Sequence, residues 1–243
     1  MLRLVFGVLL FPLSAALAWS AAKALAGIAL ASAEAAPFLA GGALVGACWL
    51  IGRYVAGEAG ASGWILRKAR WFYVLGHELT HALAAWSTGG KVFEVKVGET
   101  GGHVDVSETG AFVALAPYCV PFHALLVVVA YRVLTWLKPQ WQAEGLFLFL
   151  IGAALGFHAL MTWESLTDTR QPDLDAAGGL VFSLSVIVAF NGVLALGALK
   201  ALFPGSVAFA SAVSGAWRES KSFWVGTWTL ASHAYRAARR RFA

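Results

Sequence analysis

The chain has 243 residues, of which 59% are hydrophobic and only 13% charged, with a formal net charge of +5. Soluble domains carry about a quarter charged residues. Here the apolar residues gather in long blocks, which excludes a soluble globular domain and indicates a multi-span integral membrane protein. The basic residues cluster at Arg67, Lys68 and Arg70 and again at Arg236, Arg239, Arg240 and Arg241. In a membrane protein such clusters mark cytoplasmic loops and anionic headgroups rather than nucleic acid.

The first block, "MLRLVFGVLLFPLSAALAWS", has the basic residue, apolar run and small residues of a signal peptide. Its apolar run continues to about Ala31, too long for one, and it reads as an uncleaved first span over 4–31. Pro12 and Lys23 mark a kink or an interfacial stretch within it. Five further spans are expected over 37–56, 71–87, 111–137, 145–163 and 176–203. About 20 residues cross a bilayer core at about 1.5 Å each, and all six blocks come near that length. The block 71–87 is the shortest and the most polar.

Between these blocks, 57–70 reads as a short basic loop and 164–175, "ESLTDTRQPDLD", as an acidic one. Residues 88–110, "TGGKVFEVKVGETGGHVDVSETG", alternate valines with charged residues and are punctuated by glycines. That pattern predicts a small β-hairpin region. A lone hairpin is marginal in water, so it should lean on the helices. Residues 204–243 form a basic tail with Trp217, Trp224, Trp228 and Tyr235, read as an amphipathic interfacial segment or an irregular anchored one. Gly42/Gly46 and Gly152/Gly156 have GxxxG spacing, read as close helix packing. Cys48 and Cys119 lie in apolar blocks without metal-like spacing and read as packing residues. The expected fold is mainly α, a polytopic bundle of about six spans with the β-hairpin region between the third and fourth. Its expected parts are 1–56 as N-terminal accessory spans, 57–203 as the core, and 204–243 as the tail.

Inside the third block stands "GHELTHALAAWSTGGKV", residues 76–92. His77-Glu78-Leu79-Thr80-His81 is an HExxH motif. On a helix four residues turn about 400°, so His77 and His81 share a face one turn apart and can grip one zinc ion. Glu78 swings about 100° round that helix, where it can take a proton from water beside the metal without binding the metal. Ionisable side chains inside a span cost roughly 2.5–3.5 kcal/mol each on insertion scales and are usually functional. The competing reading is two histidines bonded to neighbouring helices.

Zinc needs a third protein ligand and an open position. The remaining histidines are His103, His123, His158 and His233, and the late acids are Glu164, Asp168, Asp173 and Asp175. Asp173 follows Pro172 at a helix start and can point into the bundle. Asp175 lies about 200° further round, so at most one of the two faces the metal. Both also fit as ordinary first-turn acids.

At these residues the chain resembles the site-2-protease-type intramembrane zinc metalloproteases, the M50 family, in its compact bacterial form. Three stretches carry the likeness: "GHELTHALAAWSTGGKV", then "GGHVDV" followed by a span opening "ALAPYCVP", then "QPDLDAAGGLVFSLSVIVAFNG". Together they cover about residues 65–200. The resemblance implies zinc held by His77, His81 and a late aspartate, with Glu78 as general base and another protein's membrane segment as substrate. Asp173 is the preferred third ligand and Asp175 stays open, because "PDLDAAGG" departs from the family's Asp-Gly element. Asn191, further along the last span, reads as a packing residue or as part of a substrate groove. His158 reads as a partner of a metal ligand or as a structural hydrogen bond. A bacterial cytoplasmic membrane is the expected location. The basic loop and tail place the N-terminus inside and run the motif span outward, whereas the resemblance implies the opposite direction. Two other functions fit the composition: an inactive scaffold of the same fold, which has no use for Glu78, and a metal transporter, for which the other spans hold few polar residues.

Overall fold

The computed structural model describes residues 1–54, 61–99, 101–107, 109–141, 143–168 and 171–241. In chain order the elements are α1 (Leu2–Ala31), α2 (Ala36–Tyr54), α3 (Ala61–Ser87), β1 (Val92–Val97) and β2 (Gly102–Val106). They continue with α4 (Ala111–Cys119), α5 (Phe122–Leu137), α6 (Glu144–Asp168), α7 (Pro172–Ala177), α8 (Leu180–Leu202) and α9 (Phe209–Arg241). The protein is mainly helical with one small antiparallel sheet.

Among the described residues four helical stretches are long and apolar enough to cross a membrane: Leu2–Leu30, Ala33–Tyr54, Glu144–Thr167 and Leu180–Leu202. The pair α4–α5, bent by 65°, makes a fifth if it is one broken span. The expected span 71–87 lies in α3, which is not among them. That helix carries His77, Glu78 and His81 together with Arg67, Lys68 and Arg70, and their polarity offsets its apolar residues.

Four expectations change in detail. The basic loop 57–70 is helical from Ala61 onward, and its first residues, with the boundary at 56/57, lie outside the described residues. Leu, Arg, Lys and Ala in that stretch favour helix, and charge alone does not make a loop. The acidic loop 164–175 is helical at both ends, in α6 to Asp168 and in α7 from Pro172, with 169–170 outside the described residues. The span 111–137 is broken at Val120-Pro121, because Pro121 has no N–H for the helix and disfavours helical backbone in the residue before it. The span 176–203 starts at Leu180, since Gly178 and Gly179 take φ of +133° and +95°, a left-handed break that glycine tolerates. Asp173 therefore stands on a short helix of its own.

The chain forms two compact units, residues 31–180 and residues 1–30 with 181–243. In the first, α2 and α6 cross closely on glycines. Gly41 faces the Phe149 carbonyl, Gly152 faces the Phe38 carbonyl, and a Cβ on Gly156 would lie 3.3 Å from Gly42 Cα. Gly46 borders open space, so the second glycine of that GxxxG pair does not take part. The hairpin pairs Val95 with Val104 and Lys96 with His103, with a bulge between Val92 and Glu94. Val92 and Val106 at its base pack on Ala84, Ala85, Val113 and Ala116, so it leans on α3 and α4.

In the second unit α1, α8 and α9 share a core of Ala16, Leu17, Ala21, Leu196 and Ala216. Ser14 Oγ donates to the Ser185 carbonyl at 2.7 Å, and Ser185 Oγ donates to the Gly7 carbonyl at 2.9 Å. Small residues and hydroxyls of this kind hold helices together in lipid, where apolar burial gives little drive. Asn191 Nδ2 donates to Ile187 O, one turn back in α8.

Candidate metal centre

Helix α3 carries His77, Glu78 and His81 into a cleft of ≈ 710 Å³. The i, i+4 spacing stacks the two imidazoles one turn apart, with ring centroids at 4.9 Å and planes at 76°. Helix α7 brings Asp173 to them. Its Oδ2 lies 3.5 Å from His77 Nε2 and 3.4 Å from His81 Nε2. One ligand atom from each of the three residues falls within 4.8 Å of the other two, which makes His77, His81 and Asp173 a possible metal-binding triad.

The donors are of a kind that holds a metal ion, and two of their three separations suit a shared one. Two imidazoles and a carboxylate are a known catalytic zinc set, bound at about 2.0–2.2 Å. Tetrahedral ligands at that distance stand about 3.3–3.5 Å apart, and both measured nitrogen–oxygen separations are close to this. His81 Nδ1 donates to the Val113 carbonyl at 2.9 Å, which leaves Nε2 with its lone pair toward the triad. His77 Nδ1 is buried with no hydrogen-bond partner among the described residues. His77 is fixed instead by rings, standing edge-on to Tyr118 at 5.0 Å and tilted against Tyr73 at 5.6 Å.

Glu78 lines the same cleft at 6% exposure. The start of β2 lies directly over it. A Cβ on Gly102 would stand 2.6 Å from Glu78 Cγ and Oε1, so only glycine leaves this carboxylate its place. The hairpin tip is tied back to α3 by Glu99, which pairs with Lys68 at 3.1 Å and Arg67 at 3.7 Å. Glu164 is not a free carboxylate in the cleft. It accepts from Arg70 Nη2 at 2.7 Å and Trp49 Nε1 at 2.8 Å.

Asp175 is exposed on α7 and outside the triad. His103 lines the cleft from β2. His123 is engaged with the Phe72 carbonyl, His158 is buried in α6, and His233 is exposed on α9. Sequence reasoning missed Tyr118. This side chain is fully buried, and its hydroxyl lies 3.0 Å from Asp173 Oδ2 and 3.1 Å from Gln171 Oε1. Helix α4 thus supports two members of the triad, His81 through the Val113 carbonyl and Asp173 through Tyr118. The available signal was Pro121, whose missing N–H ends the helix just after Tyr118 in "APYCVP".

No protein-family model, curated protein or solved structure matches this chain.

Proposed function

We propose that the protein is an intramembrane zinc metalloprotease that cleaves a peptide bond in or near another protein's membrane segment. The observation that carries this reading is the convergence of His77 Nε2, His81 Nε2 and Asp173 Oδ2 in a cleft that also holds Glu78. In this reading the chain is of the M50 kind and crosses a membrane, such as a bacterial cytoplasmic membrane, about six times. Helix α3 serves as the third span and α4–α5 as a broken fourth, with the hairpin between them. At 27 residues, α3 is about 40 Å long and can cross.

His77, His81 and Asp173 would hold the metal, which when bound supplies a Lewis acid that acidifies water and polarises a carbonyl. Glu78 takes a proton from water and returns it to the leaving amine. The Val113 carbonyl keeps His81 in one tautomer, and Tyr118 holds the Asp173 carboxylate in place. A membrane helix hides its carbonyls in its own hydrogen bonds, so the substrate must unwind at the cleft. The outer edge of the hairpin can pair with the opened stretch. The alternative role for the hairpin is a plug that covers the site.

The test is the metal content of detergent-purified protein by elemental mass spectrometry, before and after chelation and reloading. Zinc near one per chain is expected. A chain that takes up none after reloading removes the protease reading and leaves a scaffold.

Two further outcomes follow from the neighbours of the site. Tyr118→Phe is expected to weaken zinc binding by about 10–100-fold, as loss of a partner to a metal ligand does, read by competition with a chelator of known affinity. Gly102→Ala is expected to leave zinc content near that of the parent and to lower thermal stability somewhat, because the new Cβ would stand 2.6 Å from Glu78 Cγ and 2.7 Å from Val74 Cγ1 as well as displacing Glu78 Oε1. Hydrolysis should fall at least about tenfold, since the displaced group is the base. Full activity in Gly102→Ala would mean that Glu78 is not held where the chemistry needs it.

A further inference from the structure

The C-terminal half of α9 carries a surface that the metal centre does not use. The helix has 33 residues, about 50 Å, yet it is not among the described helices apolar enough to cross a membrane. Its first half packs within its own unit. Ala216 and Ser220 are buried there, and Trp224 Nε1 donates to the Leu9 carbonyl at 3.2 Å. From Val225 to Arg240 every residue except Ser232 is exposed.

From Trp228 onward these exposed residues are sorted by face, whereas just before it Val225 falls on the polar arc and Thr227 on the apolar one. At about 100° per residue, Leu230, Ala234, Ala238, Ala231, Tyr235 and Trp228 fall within one half-turn of the helix. Arg236, Arg239 and Arg240, with Ser232, Thr229 and His233, occupy the opposite arc. No Asp or Glu follows Glu219 in the sequence, so the polar arc is positive without an acid of its own segment to neutralise it. Trp228 and Tyr235 stand at the boundary next to Arg239, where indole and phenol rings settle at headgroup depth.

We propose that this half of α9 lies along a membrane surface and recognises anionic lipid headgroups through Arg236, Arg239 and Arg240. The apolar arc is mostly alanine, with two aromatic rings and one leucine, so it enters the acyl region only shallowly. Charge, rather than buried apolar area, then carries the attachment.

The test uses the full chain with Cys48→Ser, which removes the exposed cysteine. Cys119 is buried, and the parent provides the labelling blank. Spin labels are placed at Ala234→Cys on the apolar arc and at His233→Cys on the polar arc. The protein is reconstituted in phosphatidylcholine alone and in phosphatidylcholine with phosphatidylglycerol. Collision with oxygen relative to a polar nickel chelate should be several-fold higher at 234 than at 233 in the mixed vesicles. The contrast should collapse toward unity in phosphatidylcholine, and in the mixture when Arg236→Gln, Arg239→Gln and Arg240→Gln are combined. Equal contrast in both lipids would overturn the proposal, because attachment would not depend on anions. So would chelate access at both positions, or a label at 234 immobilised in proportion to protein density, the sign of a second copy. None of these readouts involves zinc, so failure here is separate from failure of the metal centre.

Discussion

Asp173→Ala is expected to lose zinc by more than about 100-fold in affinity, beyond the loss expected for a supporting partner, while Asp175→Ala keeps about one zinc per chain. The two carboxylates lie two residues apart, so a purely electrostatic role near the site would make them nearly interchangeable. Geometry separates them. On the six-residue helix α7 the two side chains diverge by about 200°. Asp173 Oδ2 reaches both imidazoles at 3.4 and 3.5 Å, whereas Asp175 is exposed. Removing Asp173 also leaves the Tyr118 hydroxyl without its carboxylate partner, so protein stability must be followed alongside. Asp173→Asn keeps a neutral partner for Tyr118 and should still fail to hold zinc, which distinguishes ligand loss from misfolding. Elemental analysis after equilibration in a buffered zinc solution reads the result. Zinc retained in Asp173→Ala and lost in Asp175→Ala would show the triad to be wrongly assembled. Loss with both would mean that α7 as a whole, rather than one oxygen, is what matters.

The parts of this arrangement that were legible in the sequence are those fixed by local geometry. His77 and His81 share a face because any helix puts i and i+4 together, and that inference needs no tertiary information. Proline at the first position of a helix puts Asp173 in its first turn, and His77, His81 and Asp173 group in the structure. The hairpin was visible in its alternating valines and its glycines, and the strands fall within 88–110. What stayed hidden depends on how segments far apart in the chain come together. Tyr118 and the Val113 carbonyl reach the triad because α4 packs against α3 and α7, set apart from α5 by a 65° bend at Val120-Pro121. Hydropathy reads straight through that bend, since both halves are apolar. The glycine pair at 178 and 179 likewise lies in an apolar run whose composition conceals the backbone break before Leu180. The charged stretches 57–70 and 164–175 misled in the opposite direction. Charge suggests loop, yet Arg, Lys, Glu and Leu are good helix formers.

Glu78→Gln separates catalysis from metal binding more sharply than any other change at the site. The substitution keeps the size and shape of the side chain, so the contact beneath Gly102 and the fold should survive. Zinc should remain near one per chain, because Glu78 is not a member of the triad. An amide cannot accept the proton that the carboxylate removes from water, nor hand one to the leaving amine. Hydrolysis should therefore fall by about 10²–10⁴-fold or more, the span that general acid–base groups contribute. The assay reconstitutes protein with a single-span reporter whose membrane segment carries helix-weakening residues, and follows the cleaved product by mass. Reporter binding should be unchanged, which makes this variant the natural trap for a physiological substrate. Unaltered cleavage in Glu78→Gln would remove Glu78 from the mechanism and leave proton transfer to some other group. A zinc-loaded parent that binds the reporter but never cleaves it would favour the inactive-scaffold reading. In that case the tight seat of Glu78 under Gly102 would have to be explained by structure alone.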